Sequence, residues 1–258
     1  MKRRAIVLNG AFDPLTFDEA VDAIFKALHT GVRGWVCTVN VATLMAMRKN
    51  PQLQSFVERA LLVVADGQPI VWCARLFGGR LPERVTGIDL IDALCRRAAA
   101  EGTRVYLLGS TPPLVVRAIG RLRAIGRLRE RHPGLIVGGS DGHFPLEQSA
   151  ERAEAIRSRS IDLLFVGMGT PRQERYIEAN WDRLGVGIAI GIGGSLDVLA
   201  GARLRARPWM GRAGLEWLVR MAQEPRRLTP RYLVTNTMFC LLIGRALLAR
   251  AKRWLLGS

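Results

Sequence analysis

Apolar residues recur along this chain in short runs that alternate with longer amphipathic stretches. Seven apolar runs bounded by turn residues have the length of buried strands, at residues 5–8, 35–39, 61–65, 105–108, 135–137, 163–166 and 188–192. Apolar positions three and four residues apart predict helices at 17–29, 42–48, 53–60, 88–100, 113–131, 146–159 and 172–181. Strands that alternate with helices indicate an α/β fold, with a Rossmann-like parallel sheet covered by helices on both faces.

The pattern changes near Gly201, after which no further strand is predicted. We therefore divide the chain into a Rossmann-like core, residues 1–200, and a helical appendage, residues 201–258. The appendage has twelve basic and two acidic residues, so it carries most of the chain's net charge of +16. A basic segment of this kind suits a polyanionic partner, either nucleic acid or an anionic membrane surface.

The last part of the appendage, from Gly244 onward, has an amphipathic helical pattern. One side of its helical wheel holds Leu247, Leu248, Ala251, Trp254 and Leu255, and the other holds Arg245, Arg250, Lys252 and Arg253. This pattern is typical of a helix that lies in a membrane interface, although a helix that packs its apolar face on the core has the same pattern. Because Arg245 and Arg250 interrupt the apolar stretch, a membrane span is the less favoured interpretation.

The composition is that of a folded chain with reduced thiols. Its 258 residues are 49% hydrophobic and 23% charged, which excludes a disordered protein and suits one domain with an appendage. Four scattered cysteines without a Cys-x-x-Cys pair, and three histidines without ligand spacing, favour a cytoplasmic protein with neither a disulfide framework nor a zinc site. The apolar run at 5–8 is too short for a signal-peptide core.

Glycine-rich corners follow three of the predicted strands and give the first indication of a ligand. They are Gly109-Ser110, Gly167-Met168-Gly169-Thr170-Pro171 and Gly193-Gly194. Glycine permits close approach to the backbone, and unpaired amides at a helix start attract phosphate, so the corners predict an anionic ligand at the carboxyl edge of the sheet. The third glycine of the dinucleotide-binding fingerprint is missing. Each corner could equally be a tight strand-to-helix turn.

Further polar segments complete a pattern that resembles a known family. They are Thr38-Val39-Asn40, Ala65-Asp66-Gly67, Glu83-Arg84-Val85-Thr86-Gly87, Gly194-Ser195-Leu196-Asp197 and, in the appendage, Gly214-Leu215-Glu216-Trp217-Leu218, Glu224-Pro225-Arg226-Arg227 and Arg231-Tyr232. Together with the corner at 167–174, their order and spacing closely resemble the WecG/TagA/CpsF family, glycosyltransferase family 26, over about residues 8–239.

The resemblance implies an inverting glycosyltransferase. Its donor would be a UDP-sugar carrying N-acetylmannosamine, its uronic acid or a hexose, and its acceptor a polyprenyl-diphosphate-linked saccharide in cell-surface polysaccharide biosynthesis. It also implies peripheral association with the cytoplasmic face of the inner (plasma) membrane, and leaves homo-oligomerisation open. No Asp-x-Asp pair occurs in the chain. We therefore expect no metal and no other cofactor, with the charge of departing UDP met by backbone amides, helix dipoles and arginines.

By resemblance, Asp66 is the catalytic base that takes the proton of the acceptor hydroxyl. Since it precedes a helix, it could instead cap that helix. The resemblance also assigns active-site positions to Thr38, Asn40, Arg84 and Gln173. Thr38 and Asn40 would hydrogen-bond the donor, or else terminate their strand locally. Arg84 would pair with diphosphate, or else be solvated.

The resemblance places the donor-binding residues at the glycine-rich corners and the residues that bind the acceptor diphosphate in the appendage. The donor positions are Gly109, Ser110, Gly167, Gly169, Pro171, Gly193, Gly194 and Asp197, although Asp197 could instead cap a helix. Arg220, Arg227 and Arg231 match arginines that the family is thought to fold over the active site, where they would bind the acceptor diphosphate. The alternative for them is generic attraction to anionic lipid, at roughly 1 kcal/mol per basic residue.

A basic nucleic-acid-binding protein on a Rossmann-like scaffold is the alternative function. Only charge supports it. A nucleic-acid reading motif would need aromatic residues interleaved with the basic ones, and that motif is not made by Trp209, Trp217, Tyr232 and Trp254. We therefore expect no nucleic-acid partner.

Overall fold

The computed structural model describes residues 3–109 and 114–255. Its strands are β1 (Ala5–Val7), β2 (Gly10–Phe12), β3 (Gly34–Val39), β4 (Leu62–Ala65), β5 (Val105–Gly109), β6 (Val137–Ser140), β7 (Leu163–Gly167) and β8 (Ile188–Gly191). Its helices are α1 (Phe17–His29), α2 (Val41–Lys49), α3 (Pro51–Glu58), α4 (Gln68–Leu76), α5 (Gly87–Glu101), α6 (Leu114–Arg131), α7 (Ser149–Arg157), α8 (Arg172–Leu184), α9 (Ser195–Leu199), α10 (Pro208–Arg212), α11 (Glu216–Gln223) and α12 (Pro225–Leu255), with a 3₁₀ turn at Leu146–Gln148.

Six of the strands form one parallel sheet in the order β4–β3–β8–β7–β5–β6. From β3 the chain continues to β4, which lies on one side of β3. β8 lies on the other side of β3, and the strand before it in the chain, β7, lies beyond β8. The carboxyl ends of β3 and β8 therefore lie at the kind of reversal where open α/β sheets bind ligands. The predicted parallel α/β fold is confirmed.

The apolar run at 5–8 is placed differently from its prediction. Instead of joining the parallel sheet, β1 pairs antiparallel with β2, a strand that the pattern does not predict. Ile6 is exposed, whereas Ala5 and Val7 are buried, so this ribbon covers the core with only one face. The predicted strand is confirmed, but its place in the parallel sheet is not, because a short apolar run does not specify its pairing partner.

Helices cover both faces of the parallel sheet, as predicted. Alternate strand residues point into opposite layers: Val39 and Val166 lie in one, and Val36 and Phe165 in the other. The first layer is packed by α2, α3, α4, α7, α8 and α12, and the second by α1, α5, α6 and α9. Since α12 belongs to the first layer, the appendage contributes directly to the core.

The appendage consists of helices in the part of the chain that is described. A non-helical residue, Glu224, separates α11 from α12. Pro225 is the first residue of α12, where its missing N–H costs little, and Pro230 lies inside the helix. α12 packs against α2 and buries Phe239 in the core.

The outer side of α12 is apolar and exposed at Leu233, Val234, Leu241 and Leu248. Leu247 lines a cavity, whereas Leu248 and Ala251 are exposed, so the tail both contacts the core and presents apolar surface. The helix at Pro225–Lys252 contains an 18-residue stretch with a mean hydropathy of 1.5, so its length and composition allow a membrane span, which the sequence pattern did not favour.

Candidate active site

The carboxyl ends of β3, β4, β7 and β8 surround a polar cavity of about 220 Å³, which α11 and α12 help to enclose. Twelve of the sequence-predicted site residues line it: Thr38, Asn40, Asp66, Gly167, Gly169, Gln173, Gly193, Gly194, Asp197, Arg220, Arg227 and Arg231. Three others, Arg84, Gly109 and Pro171, are not part of its lining. Ser110 lies outside the described residues.

The corners after β7 and β8 have backbone conformations that favour glycine. Gly169 and Gly193 have φ angles of 80° and 51°. Gly109 serves a different purpose, because a Cβ there would lie 2.5 Å from the carbonyl oxygen of Gly167. Gly109 therefore lets the ends of β5 and β7 approach each other, which is a packing role.

Thr38, Asn40 and Gln173 are fixed by hydrogen bonds within the fold. Thr38 Oγ1 donates to the Gly191 carbonyl at 2.8 Å and links β3 to β8. Asn40 Oδ1 accepts from the Thr43 amide at 3.0 Å and caps α2. Gln173 Oε1 accepts from the Gly193 amide at 3.1 Å. The Asn40 contact is the local alternative, whereas the Thr38 contact joins two strands, and together the three contacts fix these side chains in the cavity wall.

Asp66 directly follows β4, and its carboxylate forms no hydrogen bond or ion pair with the described residues. Gly67 caps the following helix without a side-chain hydrogen bond, so Asp66 does not have the capping role. Among the described residues, no hydrogen bond to the carboxylate and no ion pair within 4 Å is formed. Burial raises the pKa of Asp66 from 3.8 to about 7; the charge of Glu216 adds to this, and Arg220 and Arg84 oppose it.

The three appendage arginines reach the polar cavity from two helices. Arg220 lies on α11, and Arg227 and Arg231 lie on α12 beyond the break at Glu224. Arg227 pairs with Glu224, whereas Arg231 has no ion pair within 4 Å among the described residues. Three guanidiniums at one cavity favour a specific anionic ligand over diffuse attraction to lipid.

Asp197 is buried within α9 and pairs with Arg203 at 3.2 Å. It does not cap that helix, since Gly194 is the N-cap residue. Arg203 also pairs with Glu224 and thereby joins α9 to the end of α11. Sequence reasoning missed Arg203, because nothing in the local sequence distinguishes it from its basic neighbours.

Arginines dominate the electrostatics of the polar cavity. Its cationic lining consists of Arg172, Arg203, Arg220, Arg227 and Arg231, against the carboxylates of Asp66 and Asp197. Within the described ranges, no group of three or more His, Cys, Asp or Glu side chains could hold a metal ion. The cavity is therefore chemically suited to a phosphate-bearing ligand.

A larger cavity of about 610 Å³ adjoins the polar one and lies between α4, α11 and α12. Most of its wall is apolar and comes from Pro69, Trp72, Cys73, Trp217, Phe239, Cys240, Ile243, Gly244 and Leu247. Five residues line both cavities, namely Asn40, Ala42, Asp66, Arg220 and Tyr232. Asp66 therefore lies where a polar and an apolar compartment meet.

Sequence reasoning also missed the role of Glu216, which lines the apolar cavity. Its Oε2 accepts from Arg84 Nη1 at 2.6 Å, and its Oε1 accepts from Arg220 Nη2 at 2.9 Å. Burial opposes ionisation of Glu216, but the two arginines outweigh it and lower its pKa. The sequence did contain an indication of this role, because Glu216 and Glu224 are the only acidic residues of the basic appendage. In the structure each of them pairs with two arginines. Arg84 is thus neither solvated nor part of the polar cavity.

A Rossmann-like sheet with an arginine-lined cavity at its carboxyl edge is the architecture of an enzyme that handles an activated, phosphate-bearing substrate. Residues 5–253 match the sequence model of the glycosyl transferase WecG/TagA/CpsF family, which is nearly the entire chain. The chain therefore belongs to this family and is a glycosyltransferase. The family acts in cell-surface polysaccharide biosynthesis at the membrane, with a nucleotide-sugar donor and a lipid-linked acceptor. The nucleic-acid-binding alternative, which depends on charge alone, is not supported.

Proposed function

We propose that this protein is an inverting glycosyltransferase that moves a sugar from a UDP-sugar onto a polyprenyl-diphosphate-linked saccharide without a metal ion. One observation carries the proposal: Asp66 lies where the arginine-lined polar cavity meets the apolar cavity. A donor bound on one side and a lipid-linked acceptor bound on the other would meet at this carboxylate.

The polar cavity suits the nucleotide diphosphate of the donor. Guanidinium groups bind phosphate oxygens through paired N–H donors, and Arg172 and Arg203 line this cavity in addition to the three arginines that we assign to the acceptor. Nε of Arg172 is buried without a hydrogen-bond partner in the described structure, so a ligand could satisfy it. Charge that develops on departing UDP would be met by these groups, which supports a reaction independent of metal.

Asp66 suits the role of base in a single displacement. With a pKa of about 7, its carboxylate is more basic than an ordinary aspartate and is mostly ionised above pH 7. It would take the proton of the acceptor hydroxyl while the hydroxyl oxygen attacks the anomeric carbon. The bond from that carbon to UDP would break on the opposite face, so the configuration inverts.

The apolar cavity suits the isoprenoid chain of the acceptor. Its aromatic and aliphatic wall would bury CH₂ groups, at about 0.8 kcal/mol each. The acceptor diphosphate would lie at the junction, near Arg220, with Arg227 and Arg231 behind it. In this proposal residues 1–200 are the donor-binding core, and residues 201–258 bind the acceptor and associate peripherally with the cytoplasmic face of the inner membrane.

A reconstituted transfer assay tests the proposal. The purified chain is incubated with a lipid-diphosphate saccharide acceptor and a panel of UDP-sugars, namely UDP-N-acetylmannosamine, its uronic acid and UDP-hexoses, and the product is identified by mass. We expect one donor to be transferred, with inverted anomeric configuration and with an unchanged rate in excess EDTA. Transfer that needs an added divalent cation, or retention of configuration, would contradict the mechanism.

A further inference from the structure

Four charged side chains line one end of the apolar cavity, and two of them, Asp66 and Arg220, also line the polar cavity. Asp66 follows β4, Arg84 lies in the loop before α5, and Glu216 and Arg220 lie on α11. The backbone fixes the position of Arg84, because the amide of the next residue, Val85, donates to the Ala65 carbonyl at 2.9 Å. The loop that carries Arg84 therefore runs beside the strand end that carries Asp66.

Glu216 uses both of its carboxylate oxygens in this cluster. Oε2 accepts from Arg84 at 2.6 Å across 132 positions of the chain, and Oε1 accepts from Arg220 at 2.9 Å within α11. Gly211 on α10 makes room for the first contact, since a Cβ at that position would lie 2.7 Å from Arg84 Nη2. The fold therefore provides a built position for the Arg84 guanidinium on Glu216.

The same two arginines act on Asp66 without pairing with it. Both lower the pKa of Asp66 through their charge, yet neither forms an ion pair with its carboxylate within 4 Å. An arginine paired directly with a carboxylate lowers its pKa by about 1 to 3 units and so makes it a weaker base. A catalytic carboxylate beside two arginines thus needs another group to hold them.

We propose that Glu216 is a positioning residue that holds Arg84 and Arg220 on its own carboxylate and so keeps both guanidiniums from neutralising Asp66. The inference rests on the proposed function, because it takes Asp66 as the base. It adds a role for Glu216 on α11, which supplies the carboxylate that both arginines occupy.

The effect of removing the Glu216 charge on the basicity of Asp66 can be predicted in direction. The charged groups that act on Asp66 are Glu216 and Arg220 on α11, Arg84 before α5, and Asp89 on α5, and Tyr232 on α12 is a further titratable group that lines both cavities. In Glu216→Gln a neighbouring negative charge is lost and the two arginines are free to turn to Asp66. Both changes make Asp66 easier to ionise and a weaker base.

The test compares pH–rate profiles of the full chain with its UDP-sugar and lipid acceptor. In Glu216→Gln we expect the acid limb of kcat to move down by about 1 pH unit and the plateau to fall about tenfold. Glu216→Asp keeps a charge between the arginines and should return the limb toward the wild-type position. Glu178→Gln, which removes the carboxylate paired with Arg59 outside both cavities, is the matched control and should leave the profile unchanged.

A readout without substrate separates this inference from the proposed function. NMR of protein labelled with ¹³C at the aspartate carboxyl carbons, with the signal assigned by its loss in Asp66→Asn, follows the titration of Asp66 directly. We expect the midpoint to fall in Glu216→Gln. An unchanged midpoint and acid limb in that variant would overturn the inference even if wild-type transfer is observed. A loss as complete as that in Asp66→Asn would also overturn it, because a residue that only positions the arginines should leave Asp66 weakened but active.

Discussion

The two cavities that meet at Asp66 differ in origin and in chemistry. The polar cavity is built by strand ends and glycine corners of the core, and its charge comes from Arg172 and from four arginines of the appendage. The apolar cavity is built by the sides of α4, α11 and α12, and its charged groups lie beside Asp66. In the proposed function, the sheet edge and the appendage arginines bind the phosphate groups, and the helices around the apolar cavity bind the lipid.

The comparison also explains the unusual state of Asp66. A carboxylate in the polar cavity alone would be surrounded by arginines, which would lower its pKa. Asp66 instead lies on the border with the apolar cavity, where burial raises its pKa to about 7. The proposed role of Asp66 as base therefore depends on the apolar cavity as well as on the polar one.

The largest effect that we predict is that of Asp66→Asn. Transfer should fall by about 10²- to 10⁴-fold, because the acceptor hydroxyl loses its base. UDP binding, measured by calorimetry, should stay close to wild type, since the asparagine is similar in size and the cavity arginines remain. Asp182→Asn, an exposed aspartate on α8, is the control. Near-normal turnover in Asp66→Asn would refute the assignment of the base.

The next largest effect distinguishes specific phosphate binding from general attraction to lipid. Arg220→Met removes a guanidinium that lines both cavities, and transfer should fall by about 10²- to 10³-fold. Arg226→Met removes an equal charge at an exposed position outside both cavities, and transfer should change by less than about tenfold. Equal losses in the two variants would favour diffuse attraction.

A smaller effect tests the apolar cavity as the lipid site. Gly244 lines the apolar cavity and a Cβ there would meet nothing within 4 Å, so Gly244→Leu is expected to take up volume in the cavity. Displacing about two CH₂ groups of the isoprenoid should raise KM for a long-chain acceptor about tenfold. Gly126→Leu, on α6 and also free of close contacts, is the matched control. An equal rise in KM for an acceptor with a truncated lipid would place the isoprenoid elsewhere.

The smallest effect is on stability. Since the pKa of Asp66 is raised from 3.8 to about 7 on folding, its contribution to stability is present below about pH 3.8 and is lost as the pH rises through 7. Thermal unfolding should show that Asp66→Asn gains stability relative to wild type between pH 5 and pH 8. A helix-capping role would give the opposite sign, a loss of about 1 kcal/mol. A loss at every pH would therefore restore the capping interpretation.

Local signals predicted much of the fold. Thr16 and Glu19 predict a capping box, and both of its hydrogen bonds are present, so α1 begins and ends at the predicted residues. The glycine corners predicted where the polar cavity lies, because the carboxyl ends of parallel strands share one edge of the sheet. The pairing of β1 was not predictable, since it depends on a partner that the run itself does not encode.

The part of the site that could not be predicted depends on distant pairs. Glu216 and Arg84 are 132 positions apart, and nothing in the spacing selects Arg84 from the other arginines of the chain. The apolar cavity requires α12 to continue through Pro230 and to cross α2, whereas a proline inside a helical pattern normally marks its end. Tertiary packing decides both features.

The most direct measurement is a structure of the wild-type chain with UDP and a lipid-diphosphate saccharide acceptor bound together. The account predicts UDP in the arginine-lined cavity, the isoprenoid between α4, α11 and α12, and the acceptor hydroxyl within about 2.6–3.2 Å of the Asp66 carboxylate. A lipid bound outside that cavity, or an acceptor hydroxyl held by another carboxylate, would contradict it.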